Sequence, residues 1–86
     1  MNINELIAIV KNKLELEIIM QDLKIEDKSF LHKNHKGHQE GKFHIKLIIN
    51  SDELAKTSKI NSTKKIYSVL NLELKEYIHS IQILLN

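Results

Sequence analysis

Five histidines are the side chains of this 86-residue sequence best suited to chemistry. His32, His35, His38 and His44 fall between Glu26 and Asp52, and His79 lies near the far end. Imidazole serves as proton carrier and metal ligand near neutral pH. Cysteine is absent, so the sequence has no thiolate nucleophile, no disulfide framework and no sulfur ligands of its own for zinc or an iron–sulfur cluster. A metal would have to be held by histidine or carboxylate, or shared with a partner. His32, His35 and His38 repeat every third residue, which invites a self-contained metal site. In a loop that spacing imposes no tetrahedral arrangement, and Glu40 is the nearest carboxylate. His35 and His38 are therefore expected to bind metal only adventitiously.

Enzymatic chemistry finds little support. Asp27, Ser29 and His32 resemble a hydrolytic set on paper, but their spacing at a strand end suits a capped turn in which Asp27 and Ser29 bond nearby backbone N–H groups. No glycine-rich phosphate loop is present, so the expectation is a non-enzyme. Thirteen Lys and Arg against eleven Asp and Glu give a net charge of +2, too little to argue nucleic-acid binding by itself. Between Lys28 and Lys46, however, five lysines face one acid, Glu40. Lys56, Lys59, Lys64 and Lys65 form a second basic group. With Lys64 and Lys65 in the first turn of a long helix, ammonium and free N–H groups would converge where an anion could sit. The ordinary alternative, screened surface lysines, is at least as economical.

The elements that must carry these residues follow from hydrophobic spacing. Ile3, Leu6, Ile7, Val10 and Leu14 trace one helical face behind a capping box, Asn2 with Glu5, giving a helix from about Ile3 to Lys13. Leu23 and Ile25 alternate with Lys24 and Glu26 as in a half-covered strand. A polar loop with Gly37 and Gly41 follows, expected to display its histidines to solvent. Phe43, Ile45, Leu47 and Ile49 then mark the clearest strand, and alternation sets His44 on the opposite, open face, where it reads as an ordinary exposed residue. Ser51 and Asp52 can cap a short helix carrying Leu54. A longer helix from about Ser62 to Ile78 buries Ile66, Val69, Leu70, Leu74 and Tyr77, and SIQILLN closes the chain as a strand with Ile81 and Ile83 on one face. The order α-β-β-α-α-β, with helices on one face of three strands, is a two-layer α+β sandwich. Residues 1–86 form one domain near the lower size limit for an unaided core. No apolar run is long enough to cross a bilayer, and the first residues lack a secretory leader pattern, so no membrane contact and a cytoplasmic location are expected.

From about Leu23 to Ile83 the chain resembles the BolA family. The pieces that carry the resemblance are LKIEDKSFLH, FHIKLIINSD, KKIYSVLNLEL and YIHSIQI, in that order and at matching spacing. The resemblance implies a class II KH-like topology with a three-stranded mixed sheet. It also implies partnership with a monothiol glutaredoxin, with its glutathione, across a shared [2Fe-2S] cluster in iron–sulfur trafficking or iron sensing. The isolated chain would bind no cluster and would be a monomer or weak homodimer. His79 matches the family's proposed C-terminal cluster ligand, and His32 the loop position proposed as second ligand. His44 matches a strand-opening histidine, here between Phe43 and Ile45 instead of in an SHF or THF motif. Read without the resemblance, His79 is a capping or half-buried histidine.

Some members are also described as DNA-binding transcriptional regulators linked to cell shape and stress response. The arginine-rich run that many carry before the Ile/Val–Tyr pair is here Ser62, Thr63, Lys64 and Lys65, which keeps positive charge but loses bidentate contacts. The alternative reading is accordingly weak, salt-dependent DNA binding through Lys56, Lys59, Lys64 and Lys65. RNA binding in the KH manner is not expected, because LAKTSKINST, which joins the helices, contains no glycine for a GXXG loop.

Overall fold

A computed structural model describes residues 1–29 and 42–86 of the chain. The order is α1 (Ile3–Glu17), β1 (Asp22–Asp27), β2 (Phe43–Asn50), α2 (Asp52–Ala55), α3 (Lys59–Val69), α4 (Asn71–Glu76) and β3 (Ile78–Leu85). The sheet runs β1-β2-β3, with β1 antiparallel and β3 parallel to β2. A parallel neighbour needs a crossover, and α2, α3 and α4 supply it. Together with α1 they form the second layer of the α+β sandwich expected from the sequence.

Alternation along the strands divides the two faces. Ile45, Leu47 and Ile49 of β2 meet Leu6, Val10 and Leu14 of α1 and Ile66 and Leu70 of the crossover, all essentially inaccessible. The opposite face carries Lys24 and Glu26 of β1, Lys46 and Ile48 of β2, and Ser80, Gln82 and Leu84 of β3, with no helix over it among the described residues.

Capping chemistry explains the starts of α1, α2 and α3. Asn2 Oδ1 accepts from Glu5 N–H at 2.8 Å, and its amide donates to the Glu5 carboxylate, also at 2.8 Å. Helix α1 continues one turn past the expected Lys13, because nothing in Leu14–Glu17 breaks it. The buried Ser51 caps α2 by accepting from Leu54 N–H, and donates to Ile19 O at 2.7 Å.

The long helix departs from expectation at both ends. It begins at Lys59, because Ser58 accepts from Asn61 N–H and acts as the cap. Ser62, expected near the start, is instead buried and donates to Leu54 O. The helix then breaks at Leu70, whose backbone (φ −98°, ψ 18°) leaves helical geometry before α4 resumes. Lys64 and Lys65 therefore lie beyond the first turn, and Lys59 alone of the four lysines sits where the helix dipole opposes a cation.

Candidate functional site

His79 and His44, 35 positions apart in sequence, lie with ring centroids 4.9 Å apart and planes tilted by 51°. A register slip in β3 produces this meeting. Phe43 pairs with Ile78, but His44 pairs with Ser80 and Ile45 with Ile81. One extra residue is accommodated, as in a β-bulge. Strict alternation back from Leu85, Ile83 and Ile81 would set His79 on the helix-covered face. The slip turns it to the open face instead, leaves Ile78 in the core, and brings the exposed His79 against His44.

His44 is on the open face, as alternation requires, but it is not the exposed residue expected there: only 4% of it is accessible. Its neighbours close over it. Nδ1 lies 2.6 Å from Ser80 Oγ, the hydrogen's position depending on the tautomer. Its backbone N–H donates to Ser29 Oγ at 3.1 Å, and its carbonyl accepts from Lys28 N–H at 2.7 Å. Ser29 is held in turn by its own N–H, which donates to Asp27 Oδ1 at 2.9 Å. The expected capped turn at Asp27 is thus present, but Ser29 bonds across to the neighbouring strand instead of locally. A depression of about 340 Å³ lies alongside, lined by Lys28, His44, Ser80 and Gln82 among others.

Electrostatics near the site come from lysines. Partial burial opposes ionisation of Glu26, but Lys28 and Lys24, with ammonium groups 3.5 and 3.6 Å away, outweigh it and hold the carboxyl below its ordinary value. Glu26 therefore remains an anion flanked by two cations, in register with Lys46 of β2.

His32, His35 and His38 lie outside the described residues. The second candidate group is in the helical layer: Lys56 ends α2, Lys59 begins α3, and Lys64 and Lys65 follow within α3. All four are exposed, and Lys65 is tied to Glu53 at 3.1 Å. The imidazoles and the lysines thus occupy opposite layers. Sequence reasoning gave Ser80 no role, although two consecutive polar residues between Ile78 and Ile81 were a legible sign of interrupted alternation.

The family model described as "BolA-like protein" matches residues 14–86. The DNA-binding transcriptional regulator BolA of Haemophilus influenzae is 32% identical over 73 residues, covering 85% of this chain and 68% of the relative. Among solved structures, the BolA domain of SufE1 from Arabidopsis thaliana superposes with a TM-score of 0.77 at 29% identity, over all of this chain and 93% of that one. BolA1 from the same plant gives 0.78 at 26% identity, covering 92% and 87%. The sandwich, the mixed sheet and the matched residues agree: this chain belongs to the BolA-like protein family.

Proposed function

We propose that the protein is an adaptor that docks a monothiol glutaredoxin and contributes histidine ligands to a [2Fe-2S] cluster held between the two. The observation that carries this reading is the imidazole pair, with His79 exposed on the open face and His44 against it. Among the described residues no group of three or more His, Cys, Asp or Glu could enclose a metal. Such a donor set fits a group whose other ligands arrive with a second molecule, thiolates from the glutaredoxin and its glutathione. His79 would hold the cluster, with His32 of the loop as second ligand and His44 as the other candidate. Bound there, the cluster supplies one-electron chemistry and an iron–sulfur cargo. The chain's part is to orient His79, which the bulge does, and to fix His44 beside it, whose ring is held by Ser80 and whose backbone is held by Ser29.

Anaerobic cluster reconstitution with a monothiol glutaredoxin tests this, read by visible absorption and circular dichroism. The His79→Ala, His32→Ala double variant is expected to lose the histidine-dependent features of the mixed complex. A spectrum identical to wild type would remove both residues from the ligand set.

The curated relative's name favours a second reading, DNA-binding regulation, for which the exposed Lys56, Lys59 and Lys64, with Lys65, are the surface. Because these lie in the helical layer, replacing all four by Gln leaves the imidazole pair intact. DNA binding that persists at physiological salt and disappears in that variant would favour the regulator over the adaptor.

A further inference from the structure

The two edges of the sheet are chemically unlike. Strand β1, DLKIED, alternates charges along six residues, a common guard against edge-to-edge association. Strand β3, IHSIQILL, is eight residues long and contains no Asp, Glu, Lys, Arg or Pro. Among the described residues no strand pairs with its outer side.

Hydrogen bonding tells which backbone groups that side presents. Asn86 N–H donates to Ile49 O, so Gln82, Leu84 and Asn86 direct their peptide groups toward β2. By alternation, Ile81, Ile83 and Leu85 direct theirs outward. These three also sit on the core face yet are only half-buried, whereas their partners Ile45, Leu47 and Ile49 are buried. Both the peptide groups and the side chains of β3 are therefore incompletely covered.

We infer that β3 is a self-association edge that pairs antiparallel with β3 of a second copy about a two-fold axis at Ile83, joining the sheets of two chains. The occupant follows from symmetry and charge. A two-fold axis there makes Ile83 exchange hydrogen bonds with its own copy, and Ile81 with Leu85 of the second copy, so the outward-facing residues all find partners. The neighbouring two-fold register, centred on Gln82, would draw the bulge at His79 into the ladder, which disfavours it. A strand can lie against itself only if no like charges meet, a condition β3 satisfies along its length. Gln82 falls opposite Leu84 of the second copy. One strand per chain is less than the contact area of a stable complex, so the dimer is weak and concentration-dependent.

Sedimentation equilibrium of the full chain, from micromolar to about millimolar, should show the mass rising from 10.0 kDa toward twice that. In an equal mixture of isotope-labelled and unlabelled chain, an intermolecular Hα–Hα NOE between Gln82 and Leu84 identifies the register. Amides of Ile81, Ile83 and Leu85 should gain hydrogen-exchange protection with concentration. The Gln82→Lys, Leu84→Lys double variant places ammonium groups opposite one another at exposed positions and is expected to weaken association about tenfold or more. Leu16→Lys with Ile60→Lys adds the same charge at exposed sites on α1 and α3 and should leave association unchanged. A chain that stays monomeric throughout, an NOE pattern away from β3, or equal weakening by both double variants would overturn the inference.

Discussion

Glu73 shows how far one residue can depart from its usual setting. Only 2% of it is accessible, its Oε2 lies 2.6 Å from Lys13 Nζ, and its buried Oε1 has no hydrogen-bond partner among the described residues. The ammonium is about a third exposed, so the attraction is partly screened and the pair adds modestly to stability. Removing one member is a different matter. Lys13→Ala leaves a buried carboxylate uncompensated and is expected to cost about 2–3 kcal/mol in urea unfolding. Glu73→Gln, which removes the charge and keeps the shape, should cost less. Equal losses in the two variants would mean that the lysine contributes packing and not charge. The buried stripe expected from spacing, Ile66, Val69, Leu70, Leu74 and Tyr77, leaves Glu73 out, because carboxylates are rarely buried without a partner, and here the partner is Lys13, 60 positions away.

At the scale of elements, hydroxyl groups do much of the positioning. Ser51 caps α2 through Leu54 N–H in buried surroundings and ties that helix to the α1–β1 connection through a partly buried bond to Ile19 O. Ser51→Ala should therefore destabilise the fold by about 1–2 kcal/mol. Ser58→Ala removes a single exposed cap bond and should cost roughly half as much; thermal unfolding of the two variants compares them. The caps at Asn2 and Ser51 were legible because capping is local chemistry. The start of α3 was not, since Ser58 and Ser62 are both competent caps, and the contact of Ser62 with Leu54 O and Thr57 decides between them. The bulge at His79 belongs to the same class. Its polar pair is visible in the chain, but its direction depends on pairing with β2.

For the whole molecule, stability rests on one small core with β2 at its centre. Leu47 is fully inaccessible and central in that strand, so Leu47→Ala should cost about 2–5 kcal/mol. Against the roughly 5–10 kcal/mol expected of so small a domain, that shifts the unfolding midpoint in urea strongly or leaves a substantial unfolded fraction. Little change would mean that the core repacks around the lost volume. What the chain determined without coordinates was the inventory and order of its elements, the two-layer arrangement and the lack of any cysteine side chain, because periodicity, capping and residue type can be read from neighbouring positions. Tertiary structure alone decided that His44 is enclosed, that His79 leaves the core face to meet it, that Glu73 is tolerated inside and that the lysines lie in the opposite layer. Each of these depends on which distant segment lies alongside, and strand register and helix packing settle that only once the chain has folded.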